Sequence, residues 1–496
     1  MVALSGYFRE IVVAHMYGTG VVSDAFYFSL ILAQTVHDLV FGGALIATVI
    51  PLLHKTSLAV ESDADATRSS QARIIATLIW IVAISSMLVA AGLSVALDPI
   101  VSLVAPDLTA QVRPLALSFA YVLIWTIPAN ALMTLLVLVL NSLQHFRLAS
   151  IAPLLGNIVF IATVYVAETK MGDASLPFAS IAAPLAGAAL LLLALARLGL
   201  LRPARPEFTK EFARTLWQHA GPLLLSFGLG SVIGLLMISQ LIARAYAASH
   251  GAGAIAALGY AFRLYEVPIS ILVNPAATIL FTLFAQLQAA NRKNEIARLT
   301  GDILTWGLLL LSPVAAIIAF GAEPIVQLVL QRGRFDSSAS LLTAEALRGF
   351  APAIVAESVF IVFFRLFYVI DKAIWTVWIS IISIATLVCF LQLTKAGAFF
   401  LVSLSVSAAF AVVAATILAL LMKTFGRMAL PSLRDMVRWL IAFIVSILVY
   451  RAVSGNAGSD LTGKLLGLLA LAVSYFALAA MLFAERRRHL WTKLRA

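Results

Sequence analysis

Long apolar runs, broken by short polar stretches, recur from one end of the chain to the other. Nearly every run reaches the roughly 18–20 residues that a helix needs to cross a bilayer core. The pattern predicts fourteen spans, at about 1–17, 24–52, 74–97, 114–140, 150–168, 177–199, 219–247, 254–287, 299–321, 340–368, 373–393, 396–422, 435–452 and 462–484. Several are longer than a perpendicular crossing requires, so tilt is expected. The alternating ten-residue segments typical of an outer-membrane barrel (about that length) are missing. The expected fold is an all-α polytopic membrane protein.

The polar breaks carry the next layer of information. Basic residues collect in alternate loops: Lys55, Arg68 and Arg73; Arg147; Arg202, Arg205, Lys210 and Arg214; Arg292, Lys293 and Arg298; Lys372; Lys423, Arg427 and Arg434. The tail ERRRHLWTKLRA falls on the same side. Loops rich in Lys and Arg stay in the cytoplasm, which predicts cytoplasmic N and C termini. The most polar internal stretch, Leu201–Pro222, holds prolines and mixed charge and reads as a boundary. Its part from Phe208 to His219 suits either a surface helix or a plain loop.

The two sides of that boundary repeat. Asp98-Pro99-Ile100-Val101 matches Glu323-Pro324-Ile325-Val326 at a shift of 225 positions. The run from Ala72 resembles that from Ala297, and Arg147 falls against Lys372, at the same shift of 225. Ala14-His15-Met16-Tyr17 lines up with Ala243-Arg244-Ala245-Tyr246 at 229. The organisation expected is a six-helix lobe at 1–200, a linker at 201–218, a second six-helix lobe at 219–422, and two further helices with a basic tail at 423–496. An even helix count keeps both copies in one orientation, so the repeats are parallel.

Composition agrees with the pattern: 62% of residues are hydrophobic, 11% are charged, and mean hydropathy is +1.02. The net charge of +11 would suggest nucleic acid in a soluble protein, but here the cytoplasmic loops account for it. The single cysteine, Cys389, lies in an apolar run and is expected to pack as a small apolar side chain. The first run carries Arg9 and Glu10 and lacks a basic leader, unlike a cleavable signal. It is also short, which points to a start further upstream. Metal-spaced His/Cys clusters, phosphate-binding loops and nucleophile elbows are absent from the sequence, so a transporter is expected rather than an enzyme.

The first two runs, from Ser5 to Leu53, hold Arg9, Glu10, His15, Asp24, His37 and Asp38. Ionisable groups at membrane depth are costly and face a bundle interior or a wet cavity. This stretch is the candidate substrate path.

GYFREIVVAHMYGTGVVSDAFYF, in the first two runs, resembles the start of the MurJ (MviN) family of the multidrug/oligosaccharidyl-lipid/polysaccharide exporter superfamily. Tyr260–Leu287 is similar to that family's eighth helix, and Ala322–Ala351 to the start of its tenth. The resemblance implies a flippase for undecaprenyl-diphosphate-linked saccharides, lipid II foremost, working by alternating access in the bacterial inner membrane. It implies a cationic cavity, and a groove for the lipid tail formed with the two extra helices. It assigns Arg9 and Arg263 to diphosphate binding, since arginine's planar fork suits phosphate oxygens. For Arg9 the plainer alternative is a snorkelling or helix-pairing arginine; for Arg263 it is an i,i+3 pair with Glu266. Asp24 matches the family's acidic S/T-D-A-F position and suits gating or helix capping better than cargo contact. Glu266 and Pro268 fit the eighth-helix pattern, where proline frees a carbonyl.

Departures from the family matter. Ala3 stands where relatives carry arginine, His37-Asp38 replaces an Arg-Arg pair, Gly42 replaces an acid, and Ile31 and Ala33 replace a lysine and a proline. His37 can restore charge near neutrality or serve as a hydrogen-bonded interhelical residue. Asp38 adds a cavity acid. Residues 373–433 contain no Asp or Glu, which weakens the case for the late-helix sodium site of some relatives. That leaves membrane potential or a proton or ion gradient as the driving force, with His37, Asp38 or Glu357 as carriers and no other cofactor. Glu357 and Arg365 lie about two turns apart on one face and suit a structural pair or cavity lining equally.

The expected partners are the lipid-linked glycan and membrane lipids, with the basic tail Glu485–Arg495 on anionic headgroups. A monomer is expected, with cell-envelope synthesis proteins as candidate associates. The competing functions are a flippase for an exopolysaccharide or O-antigen repeat unit, a cation-coupled drug exporter, and a non-transporting cell-envelope scaffold.

Overall fold

A computed structural model describes residues 2–42, 45, 49, 53, 64–201, 232–456 and 461–483. The expected surface helix at Phe208–His219 and the basic tail lie outside the described residues. Among the described residues the chain is helical throughout, with no strand. Hydrocarbon offers no hydrogen bonds, so each span must satisfy its own backbone, and only the helix does this within one segment.

Contacts divide the chain into two compact units, Met1–Ala256 with Gly333–Phe335, and Ala257–Arg332 with Asp336–Ala496. The first unit holds α1 (Val2–Tyr17), α2 (Val21–His37), α3 (Ala64–Val95), α4 (Leu97–Val104), α5 (Val112–Leu123), α6 (Thr126–Ser142), α7 (Phe146–Met171), α8 (Ser175–Arg197) and α9 (Val232–Ala247). Helices α7 and α8 form a hairpin, α1 lies on α7, and α2 packs on α5, α6 and α9. Polar side chains tie these faces together. The Tyr17 hydroxyl and Ser175 Oγ lie 2.7 Å apart, and Ser29 Oγ donates to the Ala116 carbonyl at 2.7 Å.

Helix α10 (Ala254–Pro268) leads into the second unit, which continues with α11 (Asn274–Ala289), α12 (Lys293–Leu330), α13 (Ser337–Phe350), α14 (Ala353–Val369), α15 (Ile374–Thr394), α16 (Phe400–Phe425), α17 (Leu433–Asn456) and α18 (Leu461–Leu482). Helix α16 packs against α13, α14 and α15, and α11 packs on α14. Asp336 caps α13 by accepting the Ala339 N–H and the Ser338 hydroxyl, both at 2.8 Å. These contacts, the Ala339 N–H foremost, hold its carboxyl below the ordinary aspartate range. Helices α17 and α18 pair and dock on α12. Trp439 Nε1 donates to Ser312 Oγ at 2.9 Å, Ser312 Oγ meets the Tyr475 hydroxyl at 3.1 Å, and Lys464 Nζ donates to Glu323 at 2.9 Å. Only 11% and 22% of their most apolar windows are buried, so leucine, isoleucine and valine face outward, as a lipid surface requires. Cys389 follows the same logic. It is exposed on α15 rather than packed in the interior, because α15 turns most of its apolar window outward.

Ten described helices are long and apolar enough to cross a membrane, and eleven with the pair Ser337–Phe350 and Ala353–Val369, bent by 49°. The stretch Phe146–Arg197 counts as one of these and contains the α7–α8 hairpin. Helices α1 and α9 have 16 residues each and fall short. The figure of fourteen thus remains a reading of hydropathy.

Two backbone details recur near the spacing of the sequence repeat. Helix α2 passes into a π-helical turn at Asp38–Gly42, and α10 into another at Ile269–Val273, 231 positions later. Both Gln144 and Asp371 have positive φ, 62° and 56°, in matching turns where His145 N–H donates to Leu140 O and Lys372 N–H to Phe367 O, each at 2.8 Å. The repeated acids behave alike too: Asp98 pairs with Arg113 at 3.2 Å and Glu323 with Arg348 at 3.6 Å.

The segment Gly333–Phe335 joins the first unit because the Arg334 N–H donates to the His15 carbonyl at 2.9 Å. Gly18 (φ +60°) and Gly333 (φ +59°) permit this approach, since a Cβ on either would overlap a carbonyl oxygen, of Arg334 and His15 respectively. Alanine at Gly18 or Gly333 adds left-handed strain of about 1–2 kcal/mol before any clash. Each variant is expected to lower the thermal midpoint of the detergent-purified protein; an unchanged midpoint would show that the two backbones do not touch.

Candidate functional site

Helix α1 meets α7 along one turn of each. Asn157 Nδ2 donates to Ser5 Oγ at 2.8 Å, and four residues on from Ser5 the Arg9 guanidinium lies 5.0 Å from the Phe160 ring centroid. The i,i+4 and i,i+3 spacings put these pairs on facing helix surfaces. Arg9 Nη2 also donates to Glu10 Oε1 at 2.9 Å, and the Tyr27 hydroxyl of α2 donates to Glu10 Oε2 in a short bond. Burying an unpaired charge would cost several kcal/mol, so the pairing is what allows these groups inside.

Arg9 and Glu10 open onto a cavity of about 150 Å³ within the first unit. Gln34, Asn130, Asn157 and Ser180 line it as well. At roughly 15 Å³ per water-probe sphere this is room for several waters. Pro153 of α7 and Pro184 of α8 line the same space. Each lacks an N–H and so gives no helical hydrogen bond to the carbonyl four residues earlier.

Asp24 has a different task. It is buried at the start of α2, and its carboxylate accepts the N–H groups of Gly253 at 2.6 Å and Ala256 at 2.7 Å. It therefore caps the N-terminus of α10 and not its own helix. A carboxylate there also complements the helix dipole. Thus capping, one of the roles expected for Asp24, has a concrete geometry that joins chain segments 229 and 232 residues apart.

His37 and Asp38 pair with each other, Nδ1 to Oδ1 at 2.8 Å, at the junction of α2 and its π turn. The His37 ring is nearly buried, and its Nε2 has no hydrogen-bond partner. In the second unit, Arg263 Nη1 donates to Glu266 Oε2 at 3.2 Å, the i,i+3 pair expected as the alternative. Both side chains stay about one-third exposed. Pro268 follows, and then the second π turn. Such turns widen a helix and redirect its side chains. The Tyr265 ring stacks on Phe350 at 5.1 Å and fixes α10 on α13. Glu357 is buried with Oε2 unpartnered, whereas Arg365 donates to the Thr278 hydroxyl at 3.1 Å. Of the two arrangements expected for Glu357 and Arg365, this geometry does not pair them.

Several polar contributors were not singled out from the sequence. Tyr27, Asn130, Asn157 and Gln34 are lone polar side chains in apolar runs, and that isolation was the available signal. Arg244 entered only through the repeat. It is buried on α9, its Nη1 reaches the Tyr27 carbonyl at 3.4 Å, and its guanidinium lies 6.0 Å from the Tyr27 ring.

A bundle of apolar helices that encloses charged and amide side chains around a water-sized cavity defines a polytopic membrane protein with a polar interior. The family model described as lipid II flippase MurJ matches residues 13–454, and the chain belongs to that family. A probable lipid II flippase MurJ of Rhizobium meliloti is 28% identical over 371 residues, covering 72% of this chain and 66% of its own length. The lipid II flippase MurJ of Burkholderia cenocepacia is 27% identical over 363 residues, covering 71% and 67%. These matches span about two thirds of the relatives' length. Among solved structures, a lipid II flippase MurJ in an inward closed conformation has a TM-score of 0.73 at 15% identity, covering 98% of this chain and 97% of that one. An inward-facing multidrug transporter of the MATE family has a TM-score of 0.70 at 13% identity, covering 86% and 95%. Both show the fold. The family is one of transporters, not enzymes.

Asp24→Ala removes both acceptors from the α10 N-terminus and should cost about 1–2 kcal/mol, whereas Asp24→Asn keeps an acceptor and should cost less. Thermal unfolding of the two variants in detergent checks the order; an Asp24→Ala midpoint equal to the parent's would remove the cap.

Proposed function

We propose that this chain moves lipid II, an undecaprenyl-diphosphate-linked saccharide, from the inner to the outer leaflet of the bacterial inner membrane. The observation that carries this reading is Arg9, a guanidinium on a cavity with room for several waters inside an apolar bundle of a MurJ-family chain. Arg9 binds the diphosphate in the first unit. Arg263, part-exposed in the second, is the other cation assigned to the cargo. The glycan hydroxyls and amides find partners in Gln34, Asn130 and Asn157, while the polyprenyl chain stays in lipid. Asp24 holds the helix junction on which the cycle depends, and His37, Asp38 and Glu266 tune the charge of the two π-turn regions.

The basic loops support cytoplasmic N and C termini. The chain acts as a monomer, alongside cell-envelope synthesis proteins. Membrane potential or a proton or ion gradient drives it. The His37–Asp38 pair favours one second reading, a different glycan on the same lipid diphosphate, because a mutually paired acid and imidazole replace two arginines.

Expression of this chain in cells depleted of their own lipid II flippase is expected to restore growth. Failure, combined with loss of a surface polysaccharide when the native gene is deleted, would move the cargo to the second reading. Arg9→Ala and Arg263→Ala should each lower transport about tenfold or more with folded protein retained, the scale of one lost charge-assisted contact. Full transport by both variants would sink the diphosphate assignment.

A further inference from the structure

Helices α13 and α14 form one apolar stretch broken by a bend of 49° at Ala351 and Pro352. Proline has no N–H to give to the preceding helix, so the break has a local cause. Phe350, the last residue of α13, stacks on Tyr265 of α10. Thr343 lies about two turns before Phe350 and Glu357 about two turns after it. Tyr265, Thr343 and Glu357 are each 3% exposed or less. Each also has a side-chain oxygen without a hydrogen-bond partner: the Tyr265 hydroxyl, Thr343 Oγ1 and Glu357 Oε2. Buried polar groups are nearly always satisfied, so three such atoms around one bend call for a cause.

Glu357 is the costly member. A carboxylate taken out of water costs several kcal/mol unless a cation or hydrogen-bond donors meet it. Glu10 and Asp24 are met in that way, by Arg9 and Tyr27 and by two backbone N–H groups. Among the described residues nothing does this for Glu357. Of the elements packed on α14, α11 and the π turn at Ile269–Val273 carry no titratable group. Helix α15 has only the exposed Cys389, and α16 only Lys423 in its last turn. The charges of α12 lie between Lys293 and Asp302 and at Glu323, which pairs with Arg348 of α13 and Lys464 of α18. Glu345 of α13 accepts the Phe400 N–H, and on α14 itself Arg365 donates to Thr278. Glu357 is therefore held here as the neutral acid.

We infer that Glu357 is a proton-binding site, loaded while the bend is packed as it is here and emptied when repacking of the bend brings water to the carboxyl. Only the O–H bond of the acid breaks: the proton passes to water, and the carboxylate left behind is hydrated. Arriving water needs polar partners, and the unpartnered Tyr265 and Thr343 hydroxyls offer them beside the bend. Linkage makes the coupling reciprocal. The proton favours the dry packing by as much as that packing favours the proton. A carrier that loads this proton from one side and releases it to the other lets a proton gradient give its cargo a direction. The inference deepens the proposed transport cycle and rests on it for the coupling; the bound proton itself does not depend on the cargo.

Infrared spectra of the full chain in lipid nanodiscs at neutral pH report the carbonyl band of a protonated carboxylic acid. The difference between the parent and Glu357→Gln is expected to contain one such band, which Glu357→Asp moves instead of removing. Absence of the band from that difference overturns the site, because the group would then be ionised. The coupling is read from the steady-state distribution of lipid II between the leaflets of proteoliposomes, with a pH gradient imposed and the membrane potential clamped at zero. One proton per cargo shifts that ratio by up to about tenfold per pH unit. The parent is expected to respond to the gradient and Glu357→Gln to lose the response. A parent that ignores the pH gradient, a parent that follows sodium instead, or a Glu357→Gln variant that still responds overturns the coupling. A parent that moves no lipid II although the band is present removes the cargo reading and leaves the proton site standing. If Glu357→Gln does not fold, Glu357→Asp decides: an unmoved band refutes the assignment.

Discussion

A charged side chain inside an apolar helical bundle must be compensated at once, and the first unit is arranged around one such compensation. Arg9 answers to Glu10, Glu10 to Tyr27, and Tyr27 lies against Arg244. Four side chains on α1, α2 and α9 are therefore fixed relative to one another by electrostatics, while the surrounding helices supply close packing. The attraction between the ions is strong because the medium is poor in water, and for the same reason the loss of one partner is severe. The cavity beside Arg9 relaxes this constraint on one side only. Its amides and hydroxyls offer polar groups that water or a ligand can use.

The second unit solves a related problem by other means. Arg263 and Glu266 pair along one helix and stay partly open, and the π turn after Pro268 reshapes the helix beyond them. The first unit places a π turn at the corresponding point, after His37 and Asp38. A backbone distortion thus recurs in both units although the side chains around it differ. A π turn costs helix geometry, so its presence in both copies marks a position where the path of the chain matters more than local regularity. The two added helices, α17 and α18, have no such distortion. They are held on α12 by Trp439, Tyr475 and Lys464 and turn a broad apolar face outward.

Family membership gives these features a setting, and the proposed cargo joins the family to the chemistry of the site. An anionic head group with a long apolar tail needs cations that are reachable from water yet embedded in a membrane protein. Arg9 and Arg263 meet that description in separate units, each already engaged by a neighbouring carboxylate.

The helical membrane fold and the stretch that carries the buried charges were legible in the sequence, as was a repeated pattern of motifs. Each depends on local or periodic quantities: run length, the sign of loop residues, a constant shift between motifs, and ionisable residues in apolar surroundings. Arg9, Asp24, His37 and Asp38 stood out for that reason, and Arg263 and Glu266 through the family resemblance. What each one touches could not be read the same way. Asp24 caps a helix that begins 230 residues further on, Glu10 finds its hydroxyl on another helix, Arg365 reaches Thr278 instead of Glu357, and Cys389 faces outward. A sequence fixes which groups need a partner, because that need follows from their chemistry and their apolar neighbours. The choice of partner depends on which helix faces are pressed together, and packing over long separations decides that only when the chain has folded.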